Sequence, residues 1–346
     1  MSTVVPLPAL LRSPRSIGVL SRLRNRVLIL GSGQLANDVC HVLQSKRVRL
    51  SEVVGVLGPS HDQVGEGLAN PGVIGTYENL FEFVERYRVG TIVVCMEDGR
   101  VNLPVQSLLD LKSMGLEVID GQQFYEEENE RLSIDSLRPS ALIFSTGFRR
   151  RFVGVAVKRL TDFCVSFIGL ALLAPFFVVV GVLIKLDSPG PVFYRQIRVG
   201  LRGQPYMIWK FRSMSNDAEK NGPRWAMTGD PRVSRVGRWL RKSRIDEVPQ
   251  FINVLKGEMS LVGPRPERPV FVQDLRERIP YYDLRHTVRP GITGWAQIRF
   301  RYGASAEDAH KKLQYDLYYM KNLSIGLDLR ILVHTARVIL LGEGAR

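Results

Sequence analysis

FCVSFIGLALLAPFFVVVGVLI, residues 163–184, is a run of 22 residues without a charge, and the fold turns on how this run meets a membrane. An unbroken helix of that length reaches about 33 Å, enough to cross the hydrocarbon of a bilayer. Pro175, near the middle, removes a helical hydrogen bond and crowds the preceding turn. Lys158 and Arg159 precede the run, and Lys185, Arg195 and Arg198 follow it; such cations favour the cytoplasmic side at both ends. Together these features predict a re-entrant helix kinked at Ala174-Pro175, which enters one leaflet and returns in halves of about 15–18 Å. Backbone freed at that depth needs a partner within the protein, and Ser166 or a packed neighbouring helix is the candidate. A straight span and a buried soluble helix are the alternatives.

The charge divides around the same landmark. Residues 1–150 carry 16 Lys and Arg against 17 Asp and Glu, whereas residues 151–346 carry 32 against 17, so the formal charge of +14 belongs to the second part. A basic half attracts anions: nucleic acid, anionic headgroups or phosphorylated substrates. The length suits two cores. We expect an N-terminal segment (1–25), an α/β domain (26–150) and a membrane catalytic domain (151–346). Cys40, Cys95 and Cys164 form no C-x-x-C pair, and the five histidines do not cluster, so neither a disulfide framework nor a structural zinc site is expected. The opening MSTVVPLPALLRSPRS has no uninterrupted apolar region before a cleavage site, which predicts that the first domain stays in the cytoplasm.

In that first domain, RVLIL (26–30) reads as a buried strand running into Gly31-Ser32-Gly33-Gln34-Leu35-Ala36 and a helical pattern. EVVGVLG (52–58), TIVVCM (91–96) and LEVID (116–120) add strands. Alternation with amphipathic helices predicts a Rossmann-like parallel sheet. Gly31 and Gly33 are weak candidates for cradling a dinucleotide pyrophosphate. The ribose-binding acid expected about 20 residues later is not clear, because Glu52 opens its strand and Asp62 follows a loop. A packing or regulatory domain with a tight strand-to-helix turn is the favoured alternative, and NAD catalysis is not expected.

Beyond the apolar run, GPVFYRQIRVGLRGQPYMIWKFRSM (190–214) predicts a hairpin that gathers Arg195, Arg198, Lys210 and Arg212. RVGRWLRKSRIDEVPQFIN (235–253) looks like an amphipathic helix interrupted near Pro249, with Arg238, Arg241 and Arg244 at the polar boundary. Asp246 and Glu247 within it can divide labour, one attacking or taking a proton and the other holding a divalent cation. An Asp-Glu dipeptide is also ordinary helix surface. SLVGPRPERP (260–269) holds Arg265 between prolines, suited to clamping phosphate. HTVRPGITGWAQ (286–297) carries Arg289, a further candidate for substrate phosphate, on another turn and puts Trp295 at a pocket edge, unless both turns are only structural.

Across about residues 153–346 the motifs KRLTDF, GPVFYRQIRVG, KFRSM, SRIDEVPQFINVLKGEMSLVGPRP, RPGITGWAQ and YDLYYMKN occur in one order. In that order the chain resembles the bacterial sugar transferases, the monotopic polyprenyl-phosphate hexose-1-phosphate transferases. The resemblance implies Asp246 as nucleophile and Glu247 as Mg2+ ligand, with Arg241 and Arg265 on substrate phosphate and Lys210 and Arg212 as the basic pair of KFRSM. It implies a UDP-hexose donor, undecaprenyl phosphate as acceptor and UMP as leaving group. The implied setting is exopolysaccharide synthesis at the cytoplasmic face of a bacterial inner membrane, with glycosyltransferases acting next. Such proteins commonly have Ser-Pro at the re-entrant break, where this chain has Ala174-Pro175 and so lacks one local hydroxyl. Larger relatives carry a similar Rossmann-like module after about four transmembrane helices, which the first 25 residues here are too short to contain. A nucleic-acid-binding regulator leaves the Asp-Glu pair idle, and a nucleotide-sugar dehydratase or epimerase needs a Tyr-x-x-x-Lys arrangement not evident in residues 1–150.

Overall fold

The computed structural model describes residues 25–45, 51–65, 72–96, 103–137, 139–145, 147–148, 152–218, 229–300 and 305–341, with residues 220, 222, 225 and 303. The expected N-terminal segment, apart from Asn25, and the expected boundary at 150 lie outside these residues. The chain divides into two compact units, 1–144 and 145–346.

The first unit runs β1 (Asn25–Leu30), α1 (Gln34–Ser45), β2 (Ser51–Gly58), β3 (Val73–Thr76), α2 (Leu80–Tyr87), β4 (Thr91–Val94), α3 (Val105–Ser113), β5 (Glu117–Asp120), α4 (Gly121–Asn129) and α5 (Pro139–Phe144). Its five strands are all parallel in the order β3-β2-β1-β4-β5. β1 is central, and its unbroken apolar run is what a strand covered on both faces requires. Because side chains alternate, Val27 and Ile29 join one core with Leu35, Val39 and Val93, while Leu28 and Leu30 join another with Leu80, Ile92 and Leu111.

β3 was not anticipated: VIGT has four residues and a glycine, too short for a period to show. Gly31 has φ +119°, and a Cβ there would collide with the carbonyl oxygen of Cys95. Close approach of the ends of β1 and β4 therefore accounts for this glycine without a nucleotide. Glu52 lies at the N-terminal end of β2, where it pairs with Arg26 at 3.6 Å, and β2 ends at Gly58.

The second unit begins with α6 (Phe152–Asp187), a 36-residue helix of roughly 54 Å. A hairpin follows, β6 (Phe193–Val199) and β7 (Pro205–Phe211), then α7 (Arg235–Lys242), a 3-10 segment (Ile245–Gln250), α8 (Phe251–Lys256) and β8 (Ser260–Val262). The unit finishes with α9 (Pro269–Arg278), β9 (Gly291–Thr293), α10 (Trp295–Arg299), α11 (Ala306–Lys321) and α12 (Ile325–Leu341). Among the described residues, α6 is the one helix long and apolar enough to cross a membrane. Phe167, Ile168, Leu172, Val178 and Val182 on it are more than half exposed, an apolar surface larger than water-facing proteins tolerate.

Pro175 lies inside α6, and helical backbone continues on both sides of it in place of two helices separated by a non-helical break. Ser166 is fully buried, but its hydroxyl has no hydrogen-bond partner among the described residues, so it does not serve the backbone near Pro175. Both ends of the apolar run are bonded to one folded unit. At the start, Lys158 Nζ meets Asp328 at 2.7 Å, Arg159 donates to the Val254 and Leu255 carbonyls, and Asp162 Oδ1 accepts from the Leu261 amide at 3.1 Å. At the finish, Arg212 donates to the carbonyls of Ile184, Ser188 and Pro189, and Asp187 accepts from the Val236 amide. A straight crossing would put one of these polar sets on the far side of the bilayer, at the cost of several kcal/mol for each unsatisfied group carried through hydrocarbon.

Two outcomes follow from this architecture. Gly31→Ala combines a left-handed φ with a backbone collision and is expected to destabilise the first unit by about 2–4 kcal/mol, read as lost amide hydrogen-exchange protection over residues 25–31 and 91–95. Single cysteines at Val157 and Ser188, with native thiols replaced, are expected to react with an impermeant maleimide from the same side of sealed membranes; labelling from opposite sides would establish a crossing.

Candidate active site

Alternation along β7 decides which of its side chains enter the site. Phe211 turns toward α6, where its ring meets Phe177 edge-on at 5.0 Å, and Lys210 turns the other way to Glu247. β6 braces the strand in an antiparallel register that puts Tyr194 opposite Lys210. Asn253 of α8 is fully buried and sews β7 to the segment behind the carboxylates: its Oδ1 accepts from the Trp209 amide at 3.1 Å and its Nδ2 donates to the Met207 carbonyl at 2.7 Å.

The carboxylates sit where α7 ends. Instead of one helix interrupted at Pro249, the chain leaves α7 at Ser243, takes a left-handed turn at Arg244 (φ +55°), and winds as a 3-10 segment in which Pro249 is accommodated. A left-handed non-glycine residue costs roughly 1–2 kcal/mol, and strain of that size is typical of a functional turn. Asp246 and Glu247 follow at once, both buried, and three residues per turn sets their side chains about 120° apart.

Glu247 Oε1 accepts from Lys210 Nζ at 2.7 Å and from Arg265 Nη2 at 3.0 Å, and Arg244 lies 3.9 Å from Oε2. Burial alone would raise this carboxyl's pKa, but Arg265, Lys210 and Arg244 outweigh it and hold the group well below the usual carboxylate range. Asp246 goes the other way. Burial and then the neighbouring Glu247 raise its pKa to about 6, against the opposing pull of Lys210, Arg241 and Arg265. Adjacent carboxyls pushed apart in this way commonly perform different tasks.

Arg265 follows β8 in the expected Pro-Arg-Pro turn, and its position is fixed from behind. Arg285 Nη2 donates to the Arg265 carbonyl at 2.9 Å while it pairs with Asp316 at 2.9 Å, and Arg285 Nη1 donates to Tyr282 Oη at 2.6 Å. Lys210, Arg241, Arg244, Asp246, Glu247 and Arg265 border one cavity of about 930 Å3.

Other expected site residues have different employment. Arg212 borders the cavity, yet three of its bonds go to the carbonyls that close α6 and a fourth to Asn216, which makes it an anchor for that helix. Arg289 does not border the cavity: its Nε donates to the Gly257 carbonyl at 2.9 Å, just past the end of α8, because a guanidinium satisfies helix-end carbonyls as readily as phosphate. Trp295 is core and not a pocket edge, stacked on Tyr318 at 6.0 Å and covered by Arg299 and Arg330. Gly31 and Gly33 belong to the first unit. Asn253, Arg285 and Asp316 were missed as site-building residues. Asn253 stands inside SRIDEVPQFIN and Asp316 inside YDLYYMKN, so their motifs were visible while their partners were not.

The described residues contain no group of three His, Cys, Asp or Glu able to hold a metal. Two adjacent carboxylates still suit Mg2+, which commonly takes one or two carboxylates and completes its shell with substrate phosphates and water.

Residues 153–342 match the family model for bacterial sugar transferases. An Aeromonas hydrophila protein named UDP-N-acetylgalactosamine-undecaprenyl-phosphate N-acetylgalactosaminephosphotransferase is 50% identical over 190 residues, which cover 55% of this chain and 45% of that protein. An Escherichia coli K12 protein named UDP-glucose:undecaprenyl-phosphate glucose-1-phosphate transferase is 36% identical over 289 residues, 82% of this chain and 61% of that one. A Xanthomonas campestris protein with the same name is 32% identical over 338 residues, 94% of this chain and 70% of that one. The matches cover 40–61% of the length of four curated relatives, the Aeromonas hydrophila and Escherichia coli proteins among them, and 70–89% of four others. With a match over more than half its residues and motifs that converge on one buried site, the chain belongs to the bacterial sugar transferase family.

Proposed function

We propose that the chain transfers a hexose-1-phosphate from a UDP-hexose to undecaprenyl phosphate through a covalent intermediate on Asp246. The observation that carries this reading is the buried Asp246–Glu247 pair, which faces a cavity bordered by Lys210, Arg241, Arg244 and Arg265. Asp246 Oδ attacks the phosphorus that bears the sugar; the bond to the bridging oxygen breaks, and UMP leaves with the electron pair. A phosphate oxygen of the lipid then attacks the same phosphorus and releases the Asp246 carboxylate. The products are UMP and a polyprenyl diphosphate-linked sugar.

Arg241 and Arg265 offer fixed donors to the crowded phosphate oxygens, and buried donors need no reorganisation as charge develops. Lys210 holds Glu247 at 2.7 Å and so fixes the neighbour on which the attack geometry of Asp246 depends. Glu247 is the residue that would hold Mg2+. When bound, the ion neutralises diphosphate charge. The exposed apolar surface of α6 supports attachment to the inner membrane, with the site at headgroup level on the cytoplasmic face, and the lipid-linked product is one for downstream glycosyltransferases to extend. The first unit has a structural or regulatory role in this reading.

Asp246→Asn keeps shape and removes the nucleophile, so turnover of UDP-sugar with magnesium and undecaprenyl phosphate is expected to fall at least ~10²-fold with folding intact. Wild-type protein given UDP-sugar without lipid is expected to carry a phosphosugar mass on the peptide containing Asp246. Near-wild-type turnover of the Asn variant, or an adduct elsewhere, would overturn the covalent role.

The ionised Asp246 is the attacking form and its pKa is raised to about 6. kcat/KM is therefore expected to climb with pH through about 6 and level off above it. Glu247 is one of the groups that raises Asp246, so in Glu247→Gln the acid limb of the remaining activity is expected to move to lower pH, read from single-turnover UMP release between pH 4.5 and 8.

A further inference from the structure

Arg265 reaches Glu247 at 3.0 Å with a side chain that is 31% exposed, so packing alone does not aim it. The direction of such a side chain depends on the main chain that carries it. In the turn Pro264–Glu267 two prolines remove two of the four N–H donors with which the segment could bond. More of the task of holding it falls to the carbonyls.

All four carbonyls of this turn are taken, each by a donor from elsewhere in the second unit. The Gly291 amide of β9 donates to Pro264 at 2.9 Å, Arg285 Nη2 to Arg265 at 2.9 Å, Arg198 Nη1 to Pro266 at 3.1 Å, and the Val199 amide of β6 to Glu267 at 2.9 Å. Two of these donors are guanidinium groups, and both arginines border the cavity. Charge alone would assign them to phosphate. Their bonds assign them to the turn. Arg198 Nη1 also lies 3.7 Å from the Glu267 carboxylate, on the same turn. Arg285 is buried and commits both terminal nitrogens, to Tyr282, to Asp316 and to the Arg265 carbonyl. A planar guanidinium fixes several acceptors at once.

Resting on the transferase reading, we propose that Arg198 and Arg285 are positioning residues for Arg265, which act on the substrate phosphates only by holding the main chain of the Pro-Arg-Pro turn. Misplacing a group at the reacting centre by about 1 Å can cost on the order of 10²-fold in rate. Slack in this turn therefore reaches the chemistry without any loss of contact by the two braces themselves.

A double-mutant cycle on first-turnover UMP release, with magnesium and UDP-sugar, separates bracing from direct contact. Arg198→Met keeps the stem and removes the donor. Arg285→Met made together with Asp316→Asn removes the other brace and leaves no buried charge stranded. Each is expected to lower UMP release about tenfold. Each is also expected to move the acid limb to higher pH, because Arg265 is one of the groups that holds the Asp246 pKa down; a loss of folded protein alone would lower the amplitude and leave the limb in place. In an Arg265→Ala background neither change is expected to lower UMP release by more than about twofold further, or to move the limb again.

Arg198, whose side chain is 19% exposed, carries the test by itself if the buried pair does not tolerate replacement. Losses of equal size with and without Arg265 would show direct action on the substrate and overturn the bracing role, as would near-wild-type UMP release and an unmoved limb in Arg198→Met; either result leaves the transferase reading intact. Absence of UMP release from wild-type protein with every UDP-sugar would overturn both.

Discussion

A buried carboxylate needs cations close by, and Glu247 draws its cations from three directions. Lys210 comes from β7, Arg265 from the turn after β8, and Arg244 from the strained residue that ends α7. Removing one partner from a buried ion pair commonly costs about 3–5 kcal/mol, because the remaining charge is stranded. The arrangement therefore ties three segments together and also bears on the chemistry of Asp246, since the firmly ionised neighbour adds to burial in pushing the second carboxyl upward. Asn253 and the Arg285–Asp316 pair keep those segments in register.

Much of this was legible in the residues. RVLIL announced a strand buried on both faces, and the two cores on either side of β1 show why it carries no polar position. The hairpin at 190–214 was readable from apolar runs punctuated by Gly and Pro. Lys210, Arg241 and Arg265 border one cavity. Asp246 and Glu247 would have passed for helix surface without the arginine-bearing turns around them.

What stayed hidden was hidden for physical reasons. Arg244 adopts a conformation usually left to glycine, so nothing in KSRID advertised that the helix stops there, while Pro249, the obvious breaker, fits within a 3-10 turn. Arg212 and Arg289 were grouped with phosphate-binding cations because a planar guanidinium suits phosphate; it suits the carbonyls at a helix end equally well, and sequence does not say which acceptor lies nearer. Trp295 beside a Pro-Gly turn looked like a rim residue, but the cations of α10 and α12 stack on it instead. Each of these depends on a partner distant in sequence.

The fastening of α6 at both ends changes what thermodynamic stability means for the second unit. Lys158, Asp162, Asp187 and Arg212 connect a lipid-exposed helix to the strands and turns that carry the site, so the hydrocarbon around α6 acts as a bound ligand of the folded state. By mass action, whatever solvates that helix better stabilises everything fastened to it, and whatever solvates it poorly withdraws the same free energy from β7 and its lysine. Melting temperature is therefore a property of protein and amphiphile together, and two preparations in different detergents are thermodynamically two different proteins.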